Sequence, residues 1–400
     1  MEFNGFDLLI AAAIAVLSPL IAELPIGLRL PMIVVEVALG ILVGPQVLHW
    51  GSPTGMLAIL GDLGLVFLFF LAGMEIDFAS VAGPPLKLAA IGWGMSVAVA
   101  FLVAGILSWM GLVRAPLLIA TALTTTGVGT LMPILKDSGE LSTRFGNYVI
   151  AAGAMGEFGP IILLSLLLTR EHTRWEQTAL MGFFVILALL AAIVALRPKS
   201  RKVVRFLAKT MNAPSQMPVR ISIFVLAALI ALAEKFGLDM ILGAFTAGMI
   251  VSLGSKGKEA APLLQRLEAI GYGFLIPMFF VVSGMHFDLH ALLSNRQAML
   301  RVPLFLLLLF VSRALPIIFY QRELAKEDHL PFIFYSATSL PLLIAISEIG
   351  IRTGRMLPDN AAALVGAGIF SILFFPIVAL IVRRRLRIHA VVRAQVQAQD

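Results

Sequence analysis

The sequence predicts an all-α polytopic membrane protein, and three observations carry that prediction. Apolar side chains make up 60% of the 400 residues, charged ones 13%, and the mean hydropathy is +0.98. Soluble domains hold about 45–50% apolar and roughly 25% charged residues. The apolar excess runs along the whole chain, which excludes one anchor on a soluble domain. It is also cut into pieces of span length, about 20 mostly apolar residues each. Thirteen transmembrane helices follow, at 7–24, 30–46, 57–75, 84–110, 115–136, 144–169, 177–197, 217–235, 238–254, 268–287, 299–320, 329–350 and 359–382.

Connections between these spans are short. The longest, 198–216, places Arg201, Arg205 and Lys209 at four-residue intervals, with Val203, Val204, Phe206, Leu207 and Met211 elsewhere on the turn. That pattern predicts an interfacial amphipathic helix; a solvated basic loop is the plainer alternative. The expected organisation is therefore a first repeat with a linking span (1–197), the linker helix (198–216), a second repeat (217–382) and a basic cytoplasmic tail (383–400). No Lys or Arg precedes Arg29, so the first apolar segment reads as a retained span and not as a cleaved signal peptide. Cysteine is absent, which removes disulfides and thiolate metal sites.

The net charge of +7 does not call for a nucleic acid partner, because cytoplasmic loops of membrane proteins are basic. With the N-terminus outside, alternate loops give the internal face 21 Lys and Arg residues and the external face 8, while Arg313 lies inside a span. This bias predicts a multi-pass protein of the inner (cytoplasmic) membrane with its C-terminus in the cytoplasm.

The two halves repeat each other. LPMIVVEVALGILVG (30–44) pairs with LDMILGAFTAGMIVS (238–252), matching Met32 to Met240 and Gly40 to Gly248. FFLAGMEID (69–77) pairs with FVVSGMHFD (280–288), matching Gly73 to Gly284, and NYVIAAGAM (147–155) pairs with NAAALVGAG (360–368). The separations, 208, 211 and 213 residues, keep one order along the chain, which chance similarity of apolar segments does not explain. Six spans per repeat with one between them make the second repeat inverted, the architecture of secondary transporters.

Transporter sites lie near mid-membrane where interrupted helices expose backbone groups. The fifth span carries Thr124, Thr125 and Thr126 beside Gly127, Gly129 and Pro133; the twelfth carries Ser336, Thr338, Ser339 and Pro341. Two ionisable residues fall at mid-span, Glu157 and Arg313. A charge there costs roughly 2.5–3.5 kcal/mol on insertion scales, so it faces a partner or a water-filled path. An ion pair of Glu157 with Arg313 that merely holds helices together is the alternative to a transport role. Glu36 and Glu348 lie nearer span ends, where interfacial or hydrogen-bonded carboxylates are expected, and no histidine makes an intramembrane metal site.

These segments resemble the monovalent cation:proton antiporters of the second cation:proton antiporter family, over nearly the whole chain. LRLPMIVVEVALGILVGP (28–45), GDLGLVFLFFLAGMEIDF (61–78) and PMFFVVSGMHFDL (277–289) are similar to its early, third-span and second-half motifs. The resemblance implies two crossed discontinuous helices, a dimer domain, a moving core domain with elevator-type alternating access, and a homodimer. Relatives carry an acidic or amide residue before an acid in the sixth span; here the pair is Gly156-Glu157, so Glu157 matches the ion-binding position and the first side chain is missing. Arg313 matches the position where relatives carry Lys or Arg.

The expected activity is exchange of Na⁺ or K⁺ for protons in the lipid bilayer, electroneutral, with no cofactor and no enzymatic chemistry. Glu157, Thr125 and Thr126 are the expected cation and proton ligands, Arg313 the compensating charge, and Thr124, Ser339 and Glu348 secondary candidates. A sodium-coupled carrier of an organic solute is the alternative reading.

Overall fold

The computed structural model describes residues 5–23, 31–75, 83–141, 143–168, 209–211, 213–255, 260–294 and 296–397, with 182–184, 186–188, 190 and 193 between them. In chain order the helices are α1 (Gly5–Ala22), α2 (Met32–Val43), α3 (Gly55–Glu75), α4 (Pro84–Trp109), α5 (Pro116–Leu123), α6 (Val128–Asp137) and α7 (Arg144–Leu168). There follow α8 (Met217–Lys235), α9 (Met240–Gly254), α10 (Ala260–Ile270), a π-helical turn (Gly271–Leu275), α11 (Ile276–His286), α12 (Leu289–Ser294) and α13 (Arg296–Ala314). The last are α14 (Ile317–Tyr320), α15 (Lys326–Ala337), α16 (Pro341–Arg352) and α17 (Pro358–Gln397).

Helix lies over twelve of the thirteen expected spans. The remaining span, 177–197, and the linker 198–216 fall mostly outside the described residues. Among the described residues nine helical stretches are long and apolar enough to cross a membrane, and three shorter apolar helices accompany them. The chain is a multi-pass, all-helical membrane protein.

Two compact units share the chain, one formed by Met1–Asp77 and Ile161–Phe287, the other by Phe78–Pro160 and Asp288–Asp400. Each takes residues from both halves of the sequence.

The first unit is built on two close helix crossings, α2 on α11 and α3 on α9. Small residues let membrane helices approach to backbone contact, which replaces the missing hydrophobic drive between helices in lipid. A Cβ on Gly284 would stand 2.3 Å from Val37 O, and one on Gly40 would stand 2.3 Å from Val281 O. At the other crossing a Cβ on Gly73 would stand 2.2 Å from Phe245 O, and one on Gly248 would stand 2.0 Å from Phe70 O. Shifting α3 residues forward by 211 and α9 residues back by 208 converts the second set of contacts into the first. Glu36, expected near a span end as an interfacial or hydrogen-bonded carboxylate, is 1% exposed on α2, which packs against α1 and α11.

The second unit contains both interrupted helix pairs. Pro116 and Pro341 occupy first-turn positions of α5 and α16, where a missing N–H costs nothing. Proline also disfavours helical geometry in the residue before it, and Leu340 sits at φ −146°, ψ −50°. The backbone is extended at Gly127 and Thr338, so neither pair can join into one helix. The α15–α16 stretch is 89% buried, against 28% for α4 and α13, so the broken pair occupies the interior and the intact helices present apolar faces outward. An aromatic layer of Phe145, Tyr148, Tyr320, Phe332 and Tyr335 packs beside the breaks, with Tyr320 and Phe332 ring centres 4.5 Å apart.

One end of this unit is tied by ion pairs. Arg383 on α17 grips Glu140 with two bonds of 2.8 and 2.9 Å, reaches Asp328 with its third nitrogen, and lies 3.6 Å over the Phe145 ring. Nearby, Glu323 accepts from Tyr148 at 2.8 Å and pairs with Arg144; these donors hold its carboxyl below the usual carboxylate range.

Gly284→Ala should lower stability by about 1–3 kcal/mol, the usual cost of overpacking. Gly105→Ala, where a Cβ meets nothing within 4 Å, should be neutral or slightly stabilising. Thermal unfolding in detergent measures both, and equal effects would contradict the backbone contact at Gly284. Arg383→Ala should cost about 3–5 kcal/mol, because it strands the buried Glu140 carboxylate; a loss under 1 kcal/mol in the same assay would contradict that role.

Candidate cation and proton site

The two breaks of the second unit meet each other and α7. The Gly127 N–H donates to Thr338 O at 2.9 Å, and the Thr126 N–H donates to Gly156 O at 2.9 Å. Thr125 Oγ1 lies 2.7 Å from Ser339 Oγ and also donates to Ala122 O at 2.6 Å. Thr126 Oγ1 donates to Ser336 O at 2.5 Å. Each extended segment thus supplies the hydrogen bonds the other would lack in a medium without water, where unsatisfied backbone groups cost several kcal/mol each.

Glu157, 5% exposed, is the residue after the Gly156 carbonyl that holds Thr126. The carboxylate is therefore built onto the crossing through the backbone of its own neighbour. Thr124, Thr125, Thr126 and Ser339 are all fully buried there. Thr124 donates to Thr121 O at 2.8 Å, closing the end of α5. Glu348 is not at the crossing; it sits near the far end of α16 and pairs with Arg352 at 2.6 Å.

Arg313, 4% exposed, spends its donors on neutral oxygens: Nε on Ser336 O at 3.2 Å, Nη2 on Ala152 O at 3.1 Å and Nη1 on Ser96 Oγ at 3.4 Å. No carboxylate is among these contacts. The guanidinium is a fixed positive charge held by three separate elements, α4, α7 and α15. A cavity of about 10 Å³, room for about one water, lies against Arg313, Trp93, Tyr320 and Ser336.

Gly156 fits this arrangement because nothing larger does. A Cβ there would stand 2.5 Å from Thr126 Oγ1, 2.8 Å from Thr126 Cβ and 2.9 Å from Arg313 Nη2. The space of the side chain missing before Glu157 is filled by the threonine and the arginine.

Three serines of the site were not singled out from the sequence. Ser96 donates to Ser312 O at 2.8 Å, Ser312 donates to Leu123 O at 2.7 Å, and Ser371 accepts from Ser339 N at 3.1 Å while donating to Ser339 O at 2.8 Å. Lone hydroxyls in apolar helices were the available signal, but serine commonly satisfies itself on its own helix. Among the described residues no cluster of three or more His, Asp or Glu side chains forms a polyvalent metal site.

A family model described as "sodium/hydrogen exchanger, transmembrane" matches residues 12–380. The chain belongs to the sodium/hydrogen exchanger family. Among its relatives in that family, the Bacillus subtilis protein YjbQ is 27% identical over 93% of this chain, which spans 62% of YjbQ. The Na⁺/H⁺-K⁺ antiporter GerN of Bacillus cereus is 26% identical over 72% of this chain and 72% of its own length. The Na⁺/H⁺ antiporter of Enterococcus hirae is 26% identical over 72% of this chain and 74% of its own. In fold, the chain resembles the sodium proton antiporter of Methanocaldococcus jannaschii solved at pH 8, with a TM-score of 0.60, 14% identity, and 93% and 96% of the two chains covered. These relatives are transporters, not enzymes.

Gly156→Ala should lose about 1–3 kcal/mol of stability, since the obstructing atoms belong to two buried side chains. An unchanged unfolding temperature would show that Thr126 and Arg313 yield freely, contradicting the packing described.

Proposed function

We propose that this chain exchanges one monovalent cation, Na⁺ or K⁺, for one proton, with Glu157 as the carboxylate both compete for. The observation that carries the reading is the bond from Thr126 N–H to Gly156 O, which fastens two crossing helix breaks to the residue beside a buried acid. Oxygen ligands suit a hard cation. Glu157 would supply the charge, with hydroxyl oxygens of Thr125 and Thr126 as neutral partners and Thr124 and Ser339 behind them. Arg313 would act through space as the compensating charge, stabilising ionised Glu157 without occupying it. Glu348, paired at the far end of α16, has no part in this scheme. Names of the relatives, which include Na⁺ and K⁺ exchangers, support the substrate class and give the organic-solute carrier no support.

Several finer features belong to the same proposal. The equivalence of the Gly40–Gly284 and Gly73–Gly248 contacts under the sequence repeat supports inverted-repeat architecture. Division into two compact units, one holding both broken pairs, supports movement of the second unit in an elevator-type cycle. The basic loops support an external N-terminus and a cytoplasmic C-terminus in the inner membrane, and the family resemblance supports a homodimer. The apolar composition of 177–197 supports a count of thirteen spans.

With one acid at the crossing, Glu157 is neutralised by one proton or one cation, and the carried charge is equal in both directions. Exchange in liposomes should therefore be indifferent to membrane potential under a fixed pH gradient. A net charge moved per cycle would be worth about 2.3 kcal/mol per 100 mV, and a steep voltage dependence would contradict the one-acid scheme. Glu157→Gln should fold normally and lose exchange at least 100-fold; full exchange would remove Glu157 from the mechanism.

A further inference from the structure

The first unit contains a buried acid that the exchange scheme does not use. Glu36 on α2 is 1% exposed, and its Oε1 is buried with no hydrogen-bond partner among the described residues. Ser283 on α11 is 8% exposed, with its Oγ buried and likewise unbonded. The two flank one contact. Glu36 immediately precedes Val37, whose carbonyl meets Gly284, and Ser283 immediately precedes that glycine.

The repeat supplies an internal comparison. At the equivalent crossing the carbonyl belongs to Phe245 and the glycine is Gly73. The residues before them are Ala244 and Ala72, both buried. One crossing is therefore made of alanines where the other carries an acid and a hydroxyl, so helix packing does not require the polar pair. A buried polar pair is costly when it lacks partners, and its presence at one crossing alone points to a role other than packing.

We propose that Glu36 and Ser283 form a second proton-binding site, carried by the first unit and separate from the cation site on Glu157. At neutral pH Glu36 holds its proton as the neutral acid, since an uncompensated charge within a span is expensive. In alkali it releases that proton, and the Ser283 hydroxyl becomes the donor that the carboxylate needs. Among the described residues the elements packed most closely on α2 are α1 and α11. Their titratable residues are Asp7, near the start of α1, and His286, at the end of α11. Because Glu36 stays neutral through a cycle at neutral pH, it leaves the one-for-one stoichiometry unchanged.

Infrared difference spectroscopy of the full-length protein separates this site from Glu157, because a neutral acid has a carbonyl band that a carboxylate lacks. The expected result is a neutral-acid band at pH 7 that is missing in Glu36→Gln, retained in Glu157→Gln, and bleached as pH rises. Ser283→Ala should retain the band and bleach at higher pH, having lost the donor for the charged form. A band unaffected by Glu36→Gln would overturn the assignment, and unshifted bleaching in Ser283→Ala would overturn the serine's part. If Glu36→Gln does not accumulate as folded protein, Glu36→Asp must displace the band; an undisplaced band overturns the site. These outcomes are independent of whether Glu157 carries the exchange.

Discussion

Everything at the candidate site depends on one constraint: backbone polar groups that leave a helix inside a membrane must find partners in the protein. Two breaks solve this jointly where one could not. The Gly127 N–H takes the Thr338 carbonyl, the hydroxyls of Thr125 and Ser339 meet, and Ser371 holds both the N–H and the carbonyl of Ser339. Thr126 then reaches across to the Gly156 carbonyl, which fixes where Glu157 stands. The acid's position is thus a consequence of how interrupted backbone is satisfied.

The same requirement explains Arg313. Its guanidinium completes the carbonyls of Ser336 and Ala152 and so joins α13 to α15 and α7. A lysine could not span these acceptors with a rigid planar fork. Close packing around that fork leaves no volume for a side chain at position 156. The glycine, the arginine and the threonine are therefore one feature of the site, and changing any one of them disturbs the other two.

Much of this was legible in the sequence. Threonines beside Gly127, and serines before Pro341, mark the breaks because hydroxyls cluster there with a helix breaker, whereas Pro19, Pro160, Pro303, Pro331 and Pro376 lie inside helices. The repeat aligns Gly40 with Gly248 and Gly73 with Gly284, four of the glycines at which helices of the first unit touch. What stayed hidden depends on which helices become neighbours. Ser96, Ser312 and Ser371 look like ordinary hydroxyls of apolar helices until α4, α13 and α17 are seen around the crossing. The burial of Glu36 follows from the packing of α2 on α1 and α11, neighbours that the sequence does not name.

The central claim is that one carboxylate binds either one proton or one cation. Its most direct measurement is proton release from purified, weakly buffered protein when Na⁺ or K⁺ is added near the pH of half-protonation. Wild-type protein should release up to one proton per chain, saturating with cation concentration, and Glu157→Gln should release none. Release approaching two protons per chain, or undiminished release from Glu157→Gln, would contradict the account.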